Sequence, residues 1–94
     1  MLRNDALLRD EKVRVFALRR ILRYCRAMRS IEEMLRAAER KMVEQRRAGN
    51  GEQAEAYAEE ANFCRSCLDR TRALVRRLAS LLHCTAGDDK GGEQ

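Results

Sequence analysis

Proline and tryptophan are absent from this sequence, and only four aromatic side chains occur among its 94 residues. Glycine occurs only at positions 49, 51, 87, 91 and 92. Mixed and β-rich folds need turn residues at short intervals, so a chain with one internal glycine cluster excludes them. The abundance of Ala, Leu, Arg and Glu instead predicts an all-α protein built from long helices.

Long apolar segments are also missing. The chain opens MLRNDALLRDEK, where charged residues interrupt the continuous apolar core that a secretory signal requires. No run approaches the roughly 20 apolar residues that cross a bilayer. We therefore expect a soluble cytoplasmic protein with no membrane contact, in which the four cysteines remain reduced.

The segment RAGNGE, residues 47–52, is the one internal break. Gly49 is suited to the left-handed conformation that ends a helix. Asn50 is suited to cap the next helix, with Gln53 completing a capping-box-like pair. We predict one helical domain over residues 1–84. Its parts are a helix over about 4–47, a turn at 48–51, a helix over about 52–84, and a disordered tail at 85–94.

Apolar residues recur in both helices at the alternating three- and four-residue spacing of a heptad seam. The seam is wider than two helices can cover, which favours a bundle of three or four helices. The apolar residues that widen it are Leu18 and Cys25 in the first helix and Cys67, Leu74 and Leu81 in the second. We predict an antiparallel, coiled-coil-like hairpin that homodimerises into a four-helix bundle. The predicted assembly residues are Leu18, Ile21, Met28, Ile31, Leu35, Leu68, Val75, Leu78 and Leu82.

The segment S30-I-E-E33 also matches a capping box, so an alternative is a three-helix bundle with a break near Ser30.

In the preferred hairpin, the first helix is longer than the second and must overhang it. The overhang would expose apolar side chains to a partner protein. The predicted partner surface is Leu7, Leu8, Val13 and Phe16.

The basic residues are mostly arginine, 17 against 3 lysines, and residues 12–29 contain seven basic side chains and no acid. Guanidinium groups bind phosphate well, so an alternative function is a regulator associated with nucleic acid. No aromatic set for base stacking accompanies the charge. The predicted phosphate contacts are Arg19, Arg23, Arg26, Arg72 and Arg76.

Cys64 and Cys67 form the only C-x-x-C pair. Structural zinc sites usually combine two such pairs, so one pair favours packing as small buried hydrophobes over metal binding. A dimer bridged by metal through both cysteines remains a weaker alternative. The chain contains no nucleophile–histidine set, no glycine-rich phosphate loop and no H-E-x-x-H. We expect a non-enzymatic interaction or regulatory protein without a cofactor.

Overall fold

The computed structural model describes the backbone of residues 2–87 and the side chains of residues 10–83. Over that part the chain is all-helical, with α1 spanning Leu2–Arg47 and α2 spanning Gly51–Gly87. The two long helices pack against each other as a hairpin, which confirms the predicted all-α hairpin. Of the predicted tail, residues 85–87 belong to α2 and residues 88–94 lie outside the described residues.

The alternative break near Ser30 is wrong, because α1 continues through this position without interruption. A serine followed by glutamate three residues later stabilises a helix start only where the preceding chain leaves the helix. No glycine or proline precedes Ser30 to make the chain do so. A match to the capping-box sequence is therefore not sufficient to start a helix at Ser30.

The turn ends α1 through a left-handed glycine, as predicted. Gly49 has φ = 78°. Its backbone N–H donates to the carbonyl oxygen of Arg46 (3.1 Å), and the N–H of Asn50 donates to that of Gln45 (2.8 Å). This pair of bonds is the Schellman motif, which satisfies carbonyls that the helix end would leave unpaired.

Asn50 begins α2, since its carbonyl oxygen accepts the first helical bond from the N–H of Ala54 (3.0 Å). The predicted side-chain pair with Gln53 is not among the hydrogen bonds of the described residues. The Asn50 Nδ2 instead donates to Gln45 Oε1 at 2.8 Å. The Schellman motif brings these two residues together, so the amide binds back across the turn rather than forward into α2.

The chain divides into two compact units. The turn unit is Arg26–Arg72 and contains the turn; the terminal unit comprises the residues up to Cys25 together with those from Ala73 onward. In the turn unit, the buried apolar side chains are Ala38, Ala54, Ala61, Cys64 and Leu68. Four of these five are small, which lets two helices approach closely but removes little apolar area from water.

Polar groups in the turn unit are paired around this core. The Thr71 hydroxyl donates to the carbonyl oxygen of Cys67 at 2.7 Å, so this half-buried polar side chain is satisfied within its own helix. Arg65 Nη2 on α2 lies 2.7 Å from Glu39 Oε2 on α1. Lys41 Nζ lies over the Tyr57 ring, 5.6 Å from its centroid. Contacts between the helices thus include charge pairs beside the apolar seam.

In the terminal unit, Ala17 is the only buried apolar side chain among the described residues. Ile21, Tyr24, Val75 and Leu78 continue the heptad spacing but are only half-buried. The terminal unit therefore has a seam of the same period as the turn unit and a much smaller buried core.

Candidate interaction surface

The predicted assembly residues lie mostly inside the hairpin itself. Leu68 is buried, and Leu18 is exposed. The other seven are half-buried at successive seam positions: Ile21, Met28, Ile31, Leu35, Val75, Leu78 and Leu82. Buried and half-buried side chains offer less area to a second chain than exposed ones, so the candidates for an assembly surface are exposed apolar residues beside the seam.

Such residues are concentrated in the terminal unit. Val15, Leu18, Leu22 and Cys25 follow each other on α1 at spacings of three, four and three residues, which places them on one helix face. Leu18 is 49% exposed and Leu22 is 59% exposed. We call these four residues the Val15 stripe.

Only part of this stripe was predicted from the sequence. Leu18 and Cys25 appear there as residues that widen the seam, whereas Val15 and Leu22 were missed. The signal that identifies all four is a second series at three- and four-residue spacing, displaced around the helix from the seam. Its presence means that α1 carries two apolar faces in the terminal unit.

The predicted partner surface is described only in part. Leu7 and Leu8 lie outside the residues whose side chains are described. Val13 is half-buried, and Phe16 is exposed with Arg20 over its ring, the guanidinium carbon 5.2 Å from the ring centroid. Phe16 is therefore the one residue of this prediction that the structure places at an accessible surface.

The predicted phosphate contacts are exposed, but they do not form one group. Arg19, Arg23 and Arg76 belong to the terminal unit, whereas Arg26 and Arg72 belong to the turn unit. Arg72 Nη1 lies 3.7 Å from Asp69 Oδ1, while the other four form no ion pair within the described part of the chain. The unpaired arginines of the terminal unit remain free to meet an external anion.

The cysteines are free thiols in the residues whose side chains are described. Cys64 is buried and Cys67 is half-buried, positions that packing as small hydrophobes explains. Within residues 10–83, no three Cys, His, Asp or Glu side chains lie close enough together to hold a metal ion. Cys84 lies outside that range.

Over residues 2–87, neither α1 nor α2 has an apolar stretch of the length that crossing a membrane requires.

Comparisons with protein-family models, curated proteins and solved structures found no significant match to this chain.

Proposed function

We propose that this chain is a small, non-enzymatic interaction and regulatory protein. In this proposal its terminal unit self-associates through the Val15 stripe, and two hairpins complete a four-helix bundle. The observation that carries the proposal is the stripe itself, an apolar series on α1 in which the hairpin leaves Val15, Leu18 and Leu22 exposed. Exposed apolar patches of this kind are typical of protein–protein interfaces.

The exposed area sets the expected strength of association. Val15, Leu18 and Leu22 are each about half exposed. Covering such a side chain recovers about 1 kcal/mol, half of what complete burial gives. Two copies would together recover about 6 kcal/mol, which lies at the low end of what association costs, so the interface is a weak one. We therefore expect a dimer that depends on protein concentration rather than an obligate one.

Native mass spectrometry of the reduced full chain tests this proposal. The wild-type chain should form a dimer as its concentration rises, and Leu18→Asp with Leu22→Asp should shift it to monomer at the same concentration. Met34→Asp with Phe63→Asp is the matched control, because it adds the same charges at exposed apolar side chains of the turn unit. A wild-type monomer throughout, or equal effects of both double variants, contradicts self-association through the stripe.

Salt gives a second test of the same proposal. Lys12 and Arg19 flank the stripe on α1, so two copies bring like charges together. Screening reduces that repulsion, and the dimer should become stronger as sodium chloride is added. Dissociation by added salt would indicate that opposite charges, rather than apolar contact, hold the copies together.

A second candidate function is binding of nucleic acid. It is favoured by the unpaired, exposed Arg19, Arg23 and Arg76 of the terminal unit. Gel-shift assays at low salt should then show a complex that the triple change Arg19→Glu, Arg23→Glu and Arg26→Glu abolishes. Affinity that the triple change leaves intact removes this candidate. A metal-bridged dimer has less support, because Cys64 is 2% exposed and its thiol is therefore inaccessible to a second copy.

A further inference from the structure

A second apolar feature of the terminal unit lies between its two helical segments. It is an open groove of about 280 Å³ lined by Phe16, Arg20 and Tyr24 of α1 and by Leu74, Arg77 and Leu78 of α2. Tyr24 and Leu78 are half-buried, whereas Phe16 and Leu74 are exposed and form the accessible sides of the groove. Sites for whole small molecules enclose about 300–1,000 Å³, so this groove is suited to one or two side chains of a larger partner.

The groove has a cation on each helix. Arg20 lies over the Phe16 ring, and Arg77 lines the opposite side. Neither guanidinium has a carboxylate partner among the described residues. The adjoining surface of α1 adds three cations, Lys12, Arg19 and Arg23, to a depression that Phe16 also lines and in which Glu11 is the one acid. A ligand of this groove must therefore complement both its apolar walls and its unpaired arginines.

We propose that this groove binds an acidic amphipathic helix of another protein. Apolar side chains at three- and four-residue spacing would lie against Phe16 and Leu74, while flanking carboxylates reach Arg20 and Arg77. Guanidinium groups pair with carboxylates in a bidentate geometry, and a helix in an apolar groove is a common mode of peptide recognition.

Charge distinguishes this occupant from the alternatives. A second copy that presented its own residues 12–29 to the groove would bring arginines against arginines, because that segment contains no acid. A nucleic acid backbone would satisfy the arginines but leave Leu74 and Leu78 without an apolar partner. Only a ligand that is both acidic and apolar complements all of the lining residues.

The inference goes beyond self-association, because none of the six residues that line the groove belongs to the Val15 stripe; of the stripe, only Val15 lines the adjoining depression. Phe16, Arg20 and Tyr24 lie on a different face of α1 from Leu18 and Leu22. Stripe variants should therefore change the copy number and leave the groove intact, whereas groove variants should do the reverse. Failure of one proposal can be told apart from failure of the other.

Fluorescence anisotropy with the full chain tests the inference. The probe is a labelled peptide of about 18 residues, long enough to form a helix, with Leu at three- and four-residue spacing and Glu on both flanks. The full chain should bind it, more weakly as salt rises. Arg20→Glu with Arg77→Glu should weaken binding at least about tenfold, and Phe16→Ala should also weaken it without changing any charge.

The matched control is Arg36→Glu with Arg70→Glu, which makes the same charge change at exposed arginines of the turn unit, one on each helix. Its affinity should stay within about twofold of wild type. Circular dichroism should show equal helicity in all variants, and Phe16→Ala provides the test if the double groove variant does not fold.

Three results would overturn the inference. Equal weakening by the two double variants would show a general attraction to positive charge. Equal binding of a peptide with Ser in place of Leu, or with Gln in place of Glu, would show that one of the two required chemistries is unnecessary. Tighter binding of a single-stranded oligonucleotide, lost in Arg20→Glu with Arg77→Glu, would assign the groove to nucleic acid instead.

Discussion

The turn unit and the terminal unit share one heptad spacing but differ in what lies beside it. Among residues 10–83, five of the six buried apolar side chains belong to the turn unit. Six of the nine large exposed hydrophobic residues belong to the terminal unit, although fewer of its side chains are described. The turn unit thus has the larger buried core, and the terminal unit has more apolar side chains at its surface.

The difference arises at the positions that flank the seam. In the turn unit, α1 places Glu32 and Glu39 on the helix face where the terminal unit has Leu18 and Cys25. Glu39 pairs with Arg65 across the helices, so that face is completed within the hairpin. Apolar residues in the equivalent positions find no cover from a two-helix structure. The flanking positions of α1 therefore differ between the two units: Glu39 has a partner on α2, whereas Leu18 is left exposed.

Removing a buried side chain from the turn unit should give the largest effect. Leu68→Ala should lower the free energy of unfolding by about 2–5 kcal/mol at every protein concentration, because Leu68 is 4% exposed. Leu22→Ala in the terminal unit should cost under about 0.5 kcal/mol in the monomer. Its cost should grow with concentration if Leu22 is covered by a second copy. Urea unfolding followed by circular dichroism measures both, and equal costs at low concentration would contradict the comparison.

The turn should respond to its two glycines in opposite ways. Gly49→Ala should destabilise the protein by about 1–2 kcal/mol, because an added Cβ strains a residue at φ = 78°. Gly51→Ala should stabilise it by about 0.5–1 kcal/mol, since Gly51 is helical and nothing lies within 4 Å of its added Cβ. Thermal unfolding of the two variants checks the signs. Equal shifts would show that the left-handed conformation of Gly49 does not fix the turn.

The ion pair across the turn unit should give the smallest effect. The side chains of Arg65 and Glu39 are 49% and 42% exposed, so solvent screens their attraction. A double-mutant cycle with Arg65→Ala and Glu39→Ala should give a coupling below about 1 kcal/mol, decreasing as salt is added. A larger, salt-independent coupling would mean that this ion pair, rather than the buried side chains, makes the turn unit more stable than the terminal unit.

The sequence was sufficient to predict the hairpin and its turn. The glycine cluster near position 50 leaves one place for the chain to reverse, and Gly49 takes the conformation that only glycine adopts without strain. The seam was also predictable, since its three- and four-residue spacing runs through both helices. The residues at those positions are the buried and half-buried ones.

The exposure of the side chains that flank the seam could not be predicted in the same way. Leu18 and Cys25 flank the seam at equivalent positions seven residues apart, yet Leu18 is 49% exposed and Cys25 is half-buried. Periodicity gives the direction of a side chain but not the number of helices around it, so it cannot separate a covered flank from an open one. The hydrogen bond from the Asn50 side chain to Gln45 could not be predicted either, because the two residues become neighbours only after the turn has formed.

Hydrogen–deuterium exchange of the wild-type chain at increasing protein concentration tests the central claim most directly. That claim is that the terminal unit, and not the turn unit, is completed by another chain. Peptides covering residues 12–25 should gain protection as concentration rises, because association removes local opening of the terminal unit. Peptides covering residues 52–68 should exchange at the same rate throughout. Protection that never changes in residues 12–25, or that rises equally in both regions, would contradict the account.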